Sequence, residues 1–130
     1  MSAPIFEHQI VPHPDDDPSH PIPFMHALDV MSITVGGGAD LFIVVASPLM
    51  DDQQSQQRLL NKVEAYLHFI GSAEFQTQAG PASASNTQVI VKLHPSSASG
   101  IYDLLKRSES WVLAGGAKLS VVSLTSPELA

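Results

Sequence analysis

The sequence predicts an α+β fold: a two-layer sandwich in the order β-β-α-β-α-β, two helices on one face of a four-stranded mixed sheet. Three observations predict it. Residues 57–75 and 96–113 repeat apolar side chains at helical spacing. Four shorter stretches are rich in β-prone residues, and Gly36, Gly37 and Gly38 stand between the first two of them.

Residues 27–35, ALDVMSITV, read as the first strand. Leu28 and Val30 suggest one buried face, whereas Met31, Ile33 and Val35 suggest the other. A bulge near Met31, or burial on both faces, would reconcile them. The glycine triplet supplies the positive-φ positions of a hairpin turn. It is not a phosphate loop, because a second strand follows where a helix start would be needed. That strand, residues 41–46 (LFIVVA), is a continuous apolar run and should be buried and antiparallel to the first.

Asp51 or Asp52 caps the first helix, whose stripe is Leu59, Leu60, Val63, Tyr66, Leu67 and Ile70, within an arc of about 120°. Asn61, Glu64, Ala65 and His68 take the opposite side. Gly71 fits a left-handed position after the helix end. Residues 76–86, QTQAGPASASN, read as a polar surface loop. Residues 87–93 alternate as a third strand, ended by His94 and Pro95. Ser96 or Ser97 then caps a second helix reaching about Leu113, with the stripe Ile101, Leu104, Leu105, Ser108, Trp111 and Val112. Residues 118–124 form the last strand, expected parallel to the third through a right-handed crossover. With both helices on one face, the other lies open unless the N-terminal arm or a second subunit covers it.

Residues 1–25 hold six of the ten prolines, so they read as an extended arm, partly polyproline II, ahead of a single domain over residues 26–126 and a tail at 127–130. Ile5, Phe6, Ile10, Val11, Ile22 and Phe24 are apolar enough for parts of the arm to lie against the domain. At 130 residues, 44% of them hydrophobic, one core is expected. The charge of −7, with only six basic residues, argues against a nucleic-acid partner. No cysteine is present, which removes disulfides, thiolate nucleophiles and cysteine-bound zinc. No membrane span and no basic, apolar leader are visible, so a soluble cytoplasmic protein is expected.

Candidate chemistry is sparse. His13, Pro14, Asp15, Asp16 and Asp17, with His20 and His26 beyond, contain the ligand types of a divalent-metal site. The run HPDD resembles the metal-binding signature of the zinc-dependent deacetylases that act on N-acetylglucosaminyl lipids. In those enzymes it follows a strand and opens a helix; here Pro18, Pro21 and Pro23 forbid the helix, and the expectation is a solvated acidic turn. His94 stands at a strand end before a helix start, a frequent place for a site in α/β layers. Ser96, Ser97 and Ser99 lack a visible His–Asp partnership and read as caps, and His68 pairs with Glu64 one turn back. Trp111, Tyr66 and Tyr102 read as core and rim aromatics.

The segment LLNKVEAYLHFIGSAEF, residues 59–75, resembles a signature of an uncharacterised family of small bacterial proteins. The family's V-I-D-F-like strand start is matched by Ala27-Leu28-Asp29-Val30, and its A-Y-L-x-F-I-x-S helix pattern by residues 65–72. The resemblance spans about residues 26–124. It implies the fold and brings no activity. Members carry an Asp-His pair after the second strand, where this chain has Ser47 and Pro48.

The functional expectation is a non-enzymatic protein-interaction module, homodimeric, acting through the exposed sheet face or the arm, with no cofactor and no committed catalytic or metal residue. Its acidity would suit an immunity- or inhibitor-like partner of a basic protein. The alternative is a small-molecule or metal-dependent activity centred on His94 or the His13–His20 turn.

Overall fold

A computed structural model describes Pro14 and residues 16–124. Its elements are β1 (Val30–Ile33), β2 (Ala39–Val45), α1 (Gln53–Ile70), α2 (Ala73–Ala79), β3 (Thr87–Leu93), α3 (Ser99–Arg107), α4 (Glu109–Ala114) and β4 (Lys118–Ser123). The strands lie side by side in chain order. β1 is antiparallel to β2, and β2, β3 and β4 are mutually parallel. Each β-α-β step moves one strand in the same direction, so two right-handed crossovers put their helices on the same face. The two-layer α+β sandwich with a mixed sheet is what results.

Alternation along the central strands shows which face the helices cover. In β2, Ala39, Leu41, Ile43 and Val45 are buried while Asp40, Phe42 and Val44 are only partly so; β3 repeats the pattern with Thr87, Val89, Val91 and Leu93. The buried set joins Leu59, Val63, Tyr66 and Ile70 of α1 with Ile101, Leu105 and Val112 of α3 and α4 in one core. Asp52 is the N-cap of α1, its carboxylate accepting from the Ser55 N–H at 3.0 Å.

Several local expectations are corrected. The ladder of the first strand covers only four residues. Upstream, the Asp29 carboxylate takes the Val44 N–H at 2.9 Å, and downstream Val35 stands fully exposed in the turn. Gly71 is right-handed (φ −81°), because the chain turns directly into α2. Ser72 makes that turn, its Oγ donating to the Phe69 carbonyl at 2.6 Å and accepting from the Phe75 N–H at 3.2 Å.

The first four residues of the expected polar loop, 76–79, are therefore helix. α2 is held by one buried aromatic, Phe75, edge-on to Phe69 at 5.5 Å. The second long helix is two helices. Ser108 is buried, and its Oγ donates to the Leu104 carbonyl at 2.8 Å, a back-bond that bends helices. The break leaves Trp111 38% exposed rather than in the core stripe. Neither Ser96 nor Ser97 caps α3: the N-cap is Ala98, and Ser97 Oγ instead accepts from the Leu49 N–H at 3.1 Å.

Candidate interaction site

Two surfaces stand out, one on α1 and one on the sheet face opposite the helices. Ser55, Arg58, Lys62 and Tyr66 recur at spacings of three and four, which places them on one strip about 80° wide beside the apolar stripe of α1. Every one of them reaches the segment that precedes β1. Ser55 Oγ meets His20 Nε2 at 2.9 Å. The Arg58 guanidinium donates to the carbonyls of Ile22, at 2.7 and 3.0 Å, and Pro23, at 3.2 Å. Lys62 Nζ donates to the Phe24 carbonyl and to Asp29 Oδ1, both at 2.8 Å. Tyr66 Oη donates to the Phe42 carbonyl at 2.7 Å and accepts the Asp29 N–H at 2.9 Å.

The reason for this ladder lies in the prolines. Pro21 and Pro23 have no N–H, so residues 20–25 cannot join a sheet ladder, yet their carbonyls still need donors. Helix side chains supply them. The segment closes on itself through the Asp17 N–H and the Pro23 carbonyl at 2.8 Å, and Ile22 and Met25 enter the core while Phe24 stays exposed. Lys62 is 1% exposed, and among the described residues no buried side-chain nitrogen or oxygen lacks a partner.

The Tyr66 phenol is pushed up, beyond the ordinary tyrosine range, first by burial and then by the Asp29 charge beside it. It stays protonated and bridges strand β2 to the start of β1. Tyr66→Phe strands the Phe42 carbonyl and the Asp29 N–H, and a loss of about 1–2 kcal/mol is expected. Urea unfolding followed by circular dichroism checks it.

The open face of the sheet has three rows, set by the register. Ser32, Asp40, Gln88 and Lys118 form one end row; Val30, Phe42, Ile90 and Ser120 form the middle; Val44, Lys92 and Val122 form the other end. Val30 is 50% and Val122 40% exposed. Ser120 Oγ donates to Gln88 Oε1 at 2.9 Å, and Lys92 Nζ lies 5.1 Å from the centre of the Phe42 ring. An apolar middle with charges at the ends is the pattern of a docking face.

The residues singled out by sequence are dispersed. His13 and Asp15 lie outside the described residues, as do Ile5, Phe6, Ile10, Val11 and the tail at 127–130. Among the described residues no group of three His, Asp or Glu is placed to hold a metal ion. His20 does meet a serine and an aspartate, but in an order that is not a catalytic triad. Ser55 Oγ lies between His20 and Asp52, donating to Asp52 Oδ1 at 2.7 Å, while His20 Nδ1 accepts the Ile22 N–H at 2.9 Å. A nucleophilic serine needs the imidazole in the middle, with its other nitrogen on the carboxylate.

His94 Nδ1 accepts the Ser96 N–H at 3.1 Å, a local turn contact. Both crossovers step the same way, so the parallel strands show no reversal of strand order beside His94, the feature that marks ligand sites in doubly wound sheets. His68 and Glu64 are exposed on α1, as their angles predict, and Tyr102 is half-buried at the core rim. Among the described residues no helix is long and apolar enough to cross a membrane.

Sequence reading missed the ladder itself. Its signal was present: Arg58 and Lys62, one turn apart beside the stripe, are matched by a proline-rich segment whose carbonyls need donors. No family model, curated protein or solved structure matches this chain.

Proposed function

We propose that this chain is a non-enzymatic, cytoplasmic protein-interaction module that works as a homodimer through its open sheet face. The observation that carries the reading is the middle row, Val30, Phe42, Ile90 and Ser120, with Val44 and Val122 beside it on the face the helices leave bare. The face is also self-complementary in charge. A two-fold axis running across the strands at the middle row lays that row on its own copy. It also exchanges the end rows, setting each Asp40 beside the partner's Lys92. Opposite charges thus meet around an apolar centre, which favours one register over others.

Overall charge points the same way. The chain carries −7, yet the face holds one acid, Asp40, against Lys92 and Lys118, so two copies can approach there without like-charge repulsion. Kinship to the uncharacterised bacterial family that the A-Y-L-x-F-I-x-S helix resembles is part of this reading. Light scattering of the full chain should give twice the 13.9 kDa chain mass. Ile90→Lys should give the monomer mass with an unchanged circular dichroism spectrum, since position 90 faces away from the helices. A wild-type monomer at high micromolar concentration, or a dimer indifferent to Ile90→Lys, would refute the reading.

A further inference from the structure

We propose that His20 is an acid-operated latch, holding residues 16–25 against α1 at neutral pH and releasing them as the imidazole takes up a second proton. The geometry defines the tautomer. Nδ1 accepts the Ile22 N–H at 2.9 Å, so it carries no hydrogen, and the ring proton sits on Nε2, directed at Ser55 Oγ. Ser55 Oγ can receive it because its own hydrogen goes to Asp52 Oδ1. Protonation puts a hydrogen on Nδ1 opposite the Ile22 N–H. Two donors then face each other, and the contact that fixes Ile22 over the core is lost.

The charged groups facing the ring divide. Asp17 on the same segment and Asp52 at the α1 N-cap favour the imidazolium; Arg58 on α1 opposes it. Burial, the largest influence, opposes it too, and the net displacement is below the ordinary 6.5. The docked form therefore binds protons more weakly than the released form. Docking is at full strength above about pH 6.5 and weakens as pH falls through that value toward the lower one of the docked ring. The carboxylates do not blur this window. Asp52, lowered chiefly by its bond from Ser55, and Asp17, lowered chiefly by its bond from Ser19, both start from 3.8 and change charge only in stronger acid.

What the latch covers is specific. Release uncovers the Arg58 and Lys62 donors and the two core positions filled by Ile22 and Met25. The test is amide hydrogen exchange of the full chain between pH 7.5 and 5.0, corrected for intrinsic rates. The Ile22 amide reads the latch, and the central-strand amides of Ile43 and Val91 serve as internal reference. Ile22 protection should fall by up to about thirtyfold at pH 5.0, the limit for a ring released with a pKa of 6.5, while the reference amides hold. In His20→Asn, the side-chain oxygen can still accept the N–H two residues on but does not titrate, so Ile22 protection should become independent of pH. Constant Ile22 protection in the wild type, or the same pH dependence in His20→Asn, overturns the proposal.

Discussion

Lys62→Met is expected to destabilise the fold by about 2–4 kcal/mol, the range for breaking one side of an ion pair when the other partner keeps some solvent contact. The Lys62 side chain is 2% exposed and that of Asp29 22%, so the pair is asymmetric. Methionine fills the stem's volume but leaves Asp29 Oδ1 and the Phe24 carbonyl without their donor. Asp29 then holds an uncompensated charge while still accepting the Val44 N–H. Adding Asp29→Asn to Lys62→Met should recover part of the loss, because the charge goes while the side-chain oxygen for Val44 stays. Urea titrations of the two single variants and the double variant measure the coupling. Strict additivity would mean that the pair contributes nothing specific.

A second large effect is expected at Gly38. This residue lies where the hairpin turn crosses two other segments, its N–H donating to the Ala79 carbonyl at 2.7 Å while the next N–H, on Ala39, reaches the Asn86 carbonyl at 3.1 Å. Its φ is +83°, and a Cβ there would fall on the Asn86 backbone, which the start of β3 holds in place. Gly38→Ala should therefore cost at least about 3 kcal/mol, steric displacement adding to conformational strain. Gly36 is the comparison. Its φ is +96° with open space around it, so Gly36→Ala should cost only about 1–2 kcal/mol. Equal losses at the two positions in thermal unfolding would show that strand β3 yields freely at Asn86.

The layer arrangement was legible because the two strongest periodic signals are long. The stripe of α1 runs from Leu59 to Ile70, a little over three turns, β3 alternates over seven residues, and β2 is an unbroken β-prone run. Short elements were not. α2 spans seven residues with one anchoring aromatic, too little for a period to show. The break at Ser108 depends on which carbonyl its hydroxyl meets, and no spacing rule encodes that. Burial of Lys62 is hidden in the sequence for a different reason. A lysine next to an apolar stripe is ordinarily solvated, and its burial follows only once a proline-rich segment lies across it.

The same asymmetry explains the candidate sites. His20 stood out in the sequence for its neighbours Asp15, Asp16 and Asp17, yet its contacts are with Ser55 and the Ile22 N–H, thirty-five residues away in one case and two in the other. A sheet face free of helices, open unless the arm or a second subunit covers it, was predicted from the two amphipathic helices. Its rows, and the placing of Asp40, Lys92 and Lys118, needed the register.

The most direct test of the proposed dimer exploits the absence of cysteine from this chain. Ser120 lies in the middle row, so the proposed two-fold axis across the strands would set it opposite its own copy. Facing sheets pack about 10 Å apart, beyond the reach of a disulfide but within that of a short bismaleimide. Ser120→Cys should cross-link into a covalent dimer at low micromolar concentration, and Ser110→Cys, exposed on α4 in the helix layer, should remain monomeric under the same conditions. Cross-linking through position 110 and none through position 120 would contradict the assignment of the open sheet face as the interface.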